Sequence, residues 1–309
     1  MQRQDEFRIY YNNTIHPELR RMERLRRRLL ALLAVSIVLL TAVFFLDFYI
    51  GIPVFTFFTL LPAGVYISYL VYRVRQFRQT FKPNVINLIL DFIDDSVNYG
   101  TLEYDSKKSI PRSVFLQSRL FRTAAHQYHG EDYISGKIGE MDFELSELNV
   151  RELSPVRNRL NYVFKGVFLH SRFTYSLKGS ILIWPKEFRQ YLTKTIRAFT
   201  YGGGEAIEEE GMLIPEFEEH FMTYASREAH VRGILSPDMQ RAIVDYKLNH
   251  DKEIYLSFIN KDIYLGITEP KDILEPFIFS SNVSFELVRE FYEDIQMLID
   301  IVKDIDIHH

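Results

Sequence analysis

Cysteine is absent from all 309 residues, which excludes disulfides, thiolate metal sites and cysteine nucleophiles together and agrees with a reducing compartment. HExxH, GxSxG, a complete Walker loop and a kinase signature are missing as well, so spacing offers no standard catalytic constellation. Charge is missing from one place in particular. Residues 29–46, LLALLAVSIVLLTAVFFL, run for 18 positions without Asp, Glu, Lys or Arg, and 24 more follow at 49–72, YIGIPVFTFFTLLPAGVYISYLVY. The first run reaches the lower limit for a membrane-spanning helix, and the second can cross with some tilt. Only Asp47 and Phe48 lie between them, so a tight turn, helped by Gly51 and Pro53, is expected at the interface.

The flanks orient this pair. Arg20, Arg21, Arg24, Arg26, Arg27 and Arg28 precede it against Glu23 alone, and Arg73, Arg75, Arg78 and Lys82 follow it. The positive-inside rule then places both termini in the cytoplasm, as a multi-pass protein of the cytoplasmic (inner) membrane. Two alternatives are weaker. A buried helical hairpin of a soluble domain would carry a polar face, and a cleaved signal peptide would have a shorter basic region and a small-x-small site. Residues 1–82 hold 12 Lys and Arg against 5 Asp and Glu, whereas the remainder holds 25 against 36. A basic anchor suits an anionic lipid bilayer, and an acidic body argues against nucleic acid as a partner.

The organisation expected is a basic segment at 1–28, two spans at 29–72, a helical connector at 73–100 and a cytoplasmic α+β body at 101–309, with a boundary near 200–212 if that body is two subdomains. The first 19 residues read as a loop, with a helix starting near Pro17. Pro83 permits a break, after which Val85, Leu88, Ile89 and Phe92 share the apolar face of a helix ending near Gly100; Asp91, Asp94 and Asp95 then take its wet side. From Ser113 the period changes to that of strands: SVFLQSRLF, DYISGKIGEMDFELSELNVREL, YVFKGVFLHSRFTY and SILIWP imply a largely antiparallel sheet flanked by helices. A helix then a loop follows between 186 and 207, a strand passes through Thr223 and Tyr224, and Ser226 is placed to cap a short helix. Ser236 and Pro237 start another. Residues 253–268 form a hairpin turning at Asn260, Lys261 and Asp262, and an amphipathic helix from Ser284 carries Leu287, Phe291, Ile295, Leu298 and Val302 in register.

Candidate chemistry is sparse. His126, His129, Glu131 and Asp132 would gather a metal only if their segment curls, and Glu216, Glu219 and His220 match no general zinc pattern. Gly202, Gly203 and Gly204 lack the Lys-Ser or Lys-Thr of a phosphate loop and suggest a mobile connection. Trp184 beside Pro185 reads as core. No catalytic, cofactor-binding or metal residue is therefore assigned.

Several stretches together resemble a known family. SRLF, GEDYISGKIGEMDFELSELNV, FKGVFLHSRF, EFEEHFMTYASREAHVRGILSPDMQRAI and KEIYLSFINKDIYLGIT with ILEPF, in that order across residues 10–305, are similar to the bacterial family catalogued as domain of unknown function 3137. Glu228 and Ala229 agree with its pattern, His230 stands where arginine is usual, and Leu235, Ser236, Pro237 and Met239 approximate the rest. The resemblance implies architecture, one or two N-terminal spans with a cytoplasmic domain, and supplies no catalytic residues. In that fold Gly130, Gly136, Gly139 and Gly166 would be turn or close-packing glycines, Phe164, Phe168 and Phe173 sheet core, and Glu131, Asp132 and Glu228 charges worth testing. A membrane-tethered scaffold or interaction module, with a protein partner or a second copy, is the expected function. An oligomeric channel or transporter subunit, offering Thr41, Thr56, Thr59 and Ser68 as its polar groups, and a membrane-bound hydrolase are the alternatives.

Overall fold

The computed structural model describes residues 2–51, 54–96, 100–138, 141–154, 159–172, 178–187, 192–201, 203–206, 212–270 and 275–307. Two compact units are present, one of residues 1–92 with 274–289, the other of residues 93–273 with 290–309.

The first unit is helical. α1 (Gln2–Tyr10) passes through a π-helical turn (Tyr11–Ile15) into α2 (His16–Ile50) without the loop expected there. Phe7, Tyr11, Ile15, Leu19 and Met22 are all buried, and this spacing of three and four is one helical face, which explains why the helix begins so early. Pro17 sits in the first turn of α2, directly after the π-helical turn. α2 ends on Gly51, whose φ of +76° is left-handed and whose N–H bonds Asp47 O at 2.9 Å. Asp47 and Phe48 therefore belong to the helix rather than to the turn, and Pro53 lies outside the described residues.

α3 (Val54–Ser96) runs straight through Pro62 and Pro83. The break expected at Pro83 does not occur because Phe81, Lys82, Val85 and Ile86 are buried on either side of it, and that packing outweighs the roughly 3 kcal/mol a mid-helix proline costs. At its far end the Phe92 ring lies 5.2 Å from Phe7. With the chain reversing at Gly51 and returning to its starting end, α2 and α3 form a helical hairpin, and the arginines of both flanks share that end. Both helices are long and apolar enough to cross a membrane, and only 6% of either apolar stretch is buried. Neither apolar stretch is therefore covered by the rest of this chain.

Among the described residues the second unit carries nine strands: β1 (Gly100–Asp105), β2 (Gln127–Ile138), β3 (Met141–Ser154), β4 (Arg159–Arg172), β5 (Ser180–Pro185), β6 (Gly204–Ala206), β7 (Phe221–Ser226), β8 (Ile254–Ile259) and β9 (Asp262–Thr268). They form one sheet in the order β1-β2-β3-β4-β9-β8-β5-β7-β6, every pairing antiparallel. Helices α4 (Arg112–Gln117), α5 (Leu192–Tyr201), α6 (Pro215–His220), α7 (Val231–Ile234), α8 (Pro237–His250) and α9 (Phe285–Ile307) complete the chain. The core is aromatic: Phe115, Phe121, Phe164, Phe168, Trp184 and Tyr255 pack in one cluster. Phe173 lies outside the described residues.

Four local expectations are corrected. SVFLQ is helix α4, not strand: its apolar run is too short for periodicity to decide, and Ser118 Oγ ends the helix by donating to Phe115 O and accepting from Leu120 N. Gly204 opens the short strand β6. Ser226 caps no helix; its hydroxyl accepts the Ser180 amide of the neighbouring strand instead. In α9 the buried register starts at Val288, while Leu287 is exposed. Ser236 does cap α8, accepting from Met239 N at 3.1 Å.

Candidate functional site

Antiparallel register brings a charged centre together on one face of the sheet. Glu144 on β3 stands directly opposite His170 on β4, which stands opposite Tyr264 on β9, and Arg172 stands opposite Asp262. His170 Nδ1 lies 2.9 Å from Glu144 Oε1, and its Nε2 lies 2.9 Å from Asp262 Oδ1. An ionised carboxylate only accepts, so this geometry calls for the doubly protonated ring. Burial alone would lower the imidazole pKa, but the two carboxylates outweigh it and raise the value above the ordinary one.

Neighbouring groups complete the arrangement. Tyr133 donates its hydroxyl to Glu144 Oε2 at 2.8 Å, Lys108 sits 3.6 Å above the Tyr133 ring, and Arg172 Nε donates to Asp262 Oδ1 at 2.9 Å. The His170 ring stacks on Tyr264 with centroids 4.9 Å apart. Burial raises the Glu144 carboxyl, yet His170 and Tyr133 together hold it below the usual range. Beside these residues opens a cleft of about 580 Å³ whose walls include Lys137, Asp142, Glu144, His170 and Arg172. With both ring nitrogens donating, His170 can neither bind a metal nor release a proton without giving up a bond to a carboxylate. Its chemistry is that of a charged cross-link between three strands.

A second centre is deeper. Lys252 is buried and reaches Asp294 at 2.8 Å, Glu269 at 3.0 Å and Glu290 at 3.2 Å. Desolvation works against its charge, but Asp294 and then Glu269 raise its pKa all the same. Asp294 also accepts from the Tyr246 hydroxyl. Lys252 and Asp294 are 42 residues apart, and no pattern in the chain announces their meeting.

The residues singled out by sequence are scattered. His126 and His129 are exposed, and His126 Nδ1 accepts the Leu153 amide. Among the described residues, one group of three carboxylates comes within 4.8 Å, Glu131, Asp132 and Glu147, and neither histidine belongs to it. Asp132 sits on a bulge of β2 with φ +55° and accepts from Tyr104 at 2.5 Å; burial, then this carboxylate, pushes the Tyr104 phenol up. Glu216, Glu219 and His220 lie on the short helix α6, and Glu228 is exposed. Asp91 is exposed on α3, Trp184 is fully buried, and Gly202 and Gly139 lie outside the described residues. His170 and Asp262 were missed although both lie in the stretches FKGVFLHSRF and KEIYLSFINKDIYLGIT. Only the pairing of β4 with β9, which sets Asp262 diagonal to His170, gives them meaning.

Residues 162–307 match the family described as "Protein of unknown function (DUF3137)". The match assigns this segment to DUF3137. The DUF3137 stretch runs from within β4 through α9 and so contains His170, Lys252, Asp262 and Asp294, while Glu144 and the SRLF and GEDYISG stretches precede it. No curated protein matches the chain. Among solved structures, the crystal structure of the mycobacterial trehalose monomycolate transport factor A, TtfA, is similar at 8% identity and a TM-score of 0.29, over 63% of this chain and 88% of that one. At that score the likeness carries no inference about the DUF3137 segment.

Proposed function

We propose that this protein is anchored in a membrane by the α2–α3 hairpin and presents its nine-stranded unit at the cytoplasmic surface as an interaction module. The observation that carries the reading is the unburied apolar length of both helices. From Arg28 to Asp47 α2 rises roughly 30 Å at about 1.5 Å per residue, the thickness of a bilayer's hydrocarbon. Along it Val35, Val38, Leu39 and Phe45 are exposed, as are Phe57, Phe58, Leu61 and Val65 along α3. An apolar surface of this extent is not left in water. Exposed aromatic rings cluster at both ends of the band, Phe48 and Tyr49 near the turn, Tyr69 and Tyr72 beside Arg73, as interfacial belts do.

Three polar groups within the band are satisfied inside their own helices, Ser36, Thr41 and Thr59 donating to the Leu32, Ile37 and Phe55 carbonyls, whereas the buried Thr56 hydroxyl has no partner among the described residues. A lone hairpin with so few polar groups anchors rather than conducts. The charged centres of the sheet serve this role as stiffeners of a rigid platform, with a protein partner or a second copy as the expected occupant.

Alkaline extraction of native membranes followed by cross-linking of the full-length protein tests both halves of the proposal. Retention with the lipid and recovery of a stoichiometric partner or a defined homo-oligomer are expected. Release into the wash contradicts the anchor, and a monomer cross-linked to nothing contradicts the module.

A further inference from the structure

A second cavity of this unit, about 720 Å³, lies apart from the cleft beside His170. It lies between the end of α4 with the loop that follows and the helix α5, and Ser180, Gly204 and Ser226 close it. Three of its lining residues are cations, Arg119, Arg122 and Lys194, and none is an acid. Their side chains are exposed and make no ion pair among the described residues. Two carboxylates stand nearby: Glu152 accepts at 3.0 Å from the hydroxyl of Thr123, itself a lining residue, and Glu205 is paired with Arg227 at 2.7 Å. The remaining wall is mostly apolar, with Leu116, Phe121, Ala198 and Phe199 beside Thr123 and Thr195.

Arg119 stands out further. Its φ is +57°, a left-handed backbone that a long side chain adopts at a cost of about 1 kcal/mol or more. The strain is held by its surroundings, since the Arg119 amide donates to Leu116 O and Ser118 is fully buried. Strain of this kind gathers where a side chain must point somewhere in particular. The SRLF stretch thus supplies a cation, Arg119, and an apolar floor, Phe121, to one cavity.

We propose that this cavity binds a phosphate monoester carried on an apolar group. Two guanidinium groups and an ammonium match the charge and acceptor geometry of a phosphate dianion, and unpaired cations around an apolar floor suit an amphiphile rather than a free ion. Such a head occurs both on a membrane lipid and on a soluble phosphorylated compound. The inference does not depend on the membrane reading above.

Trp184 is the chain's single tryptophan and lies 5.3 Å from Phe121, so its emission reports on the cavity floor. Full-length protein in phosphatidylcholine nanodiscs is titrated with octyl phosphate, following Trp184 emission and, independently, equilibrium dialysis. Saturable binding is expected, weakened roughly tenfold or more by Arg119→Gln with Lys194→Gln, as the loss of charge-assisted contacts requires. Ala198→Leu, which narrows the cavity and keeps every charge, weakens it too, and circular dichroism shows both variants folded. Phosphatidic acid placed in the disc blocks octyl phosphate if lipid is the natural source and leaves it unaffected if a soluble compound is. Equal binding of octanol or of inorganic phosphate overturns the proposal, as does absence of saturable binding or indifference to both variants.

Discussion

The carboxylate of Asp47, in the last turn of α2, accepts the backbone N–H of Thr56, in the first turn of α3. One acid thus closes the reversal and places negative charge at the positive end of the next helix. Asp47→Ala is expected to cost about 1–2 kcal/mol, as loss of a helix cap does, whereas Asp47→Asn retains an acceptor and most of the stability. Unfolding of the full-length protein in detergent separates the two.

Glu23 holds the helical unit by a different bond set. It accepts from Arg26 Nε and Nη2 at 2.9 and 2.6 Å and from Arg27 Nε at 2.8 Å, while Arg26 also donates to Ile278 O. Glu23→Gln leaves the buried Arg26 guanidinium uncompensated, at an expected cost of about 3–5 kcal/mol. The Arg26 hydrogen bonds, then those of Arg27, lower the Glu23 carboxyl to about 2 despite its burial. Because the folded value is depressed, this stabilisation is present above the ordinary carboxyl range and is lost as pH falls toward about 2. Thermal melts between those limits should steepen with acid in the native protein and flatten in Glu23→Gln.

The His170 centre has the opposite sign. Its folded pKa is raised, so the stabilisation is complete below the ordinary imidazole value and disappears as pH climbs through the raised one. Melting temperature should therefore fall from mildly acidic to alkaline pH, and His170→Gln should remove that slope while lowering stability at pH 6. An unchanged slope would show that His170 does not hold its proton between Glu144 and Asp262.

Gly166 has no substitute. With φ +151°, a Cβ there would lie 2.0 Å from Ile267 O and 2.6 Å from Glu269 N, both backbone atoms of the adjoining chain. Gly166→Ala is expected to destabilise the sheet unit by about 3 kcal/mol or more, read as a lowered denaturant midpoint.

How far the chain could be read follows from which forces are local. The apolar runs, the Ser236 cap, the β8–β9 hairpin and the antiparallel strands are written in period and turn chemistry, and those features stand in the structure. Where short-range rules meet packing they lose: Pro83 stays helical among buried neighbours, and α1 forms in a polar segment that reads as a loop, with Phe7 buried. The charged centres were invisible for another reason. His170, Glu144 and Asp262 come from three strands, and Arg119 acquires its place from a backbone angle, so neither grouping has a spacing to find.

The absence of cysteine makes the decisive test clean, because every introduced thiol is the only one. Tyr49→Cys, at the exposed reversal of the hairpin, and Lys261→Cys, in the β8–β9 turn, are treated in intact cells with a membrane-impermeant maleimide. The hairpin anchor predicts labelling at position 49 in intact cells and at position 261 only after permeabilisation. Labelling of both positions from the same side would contradict it.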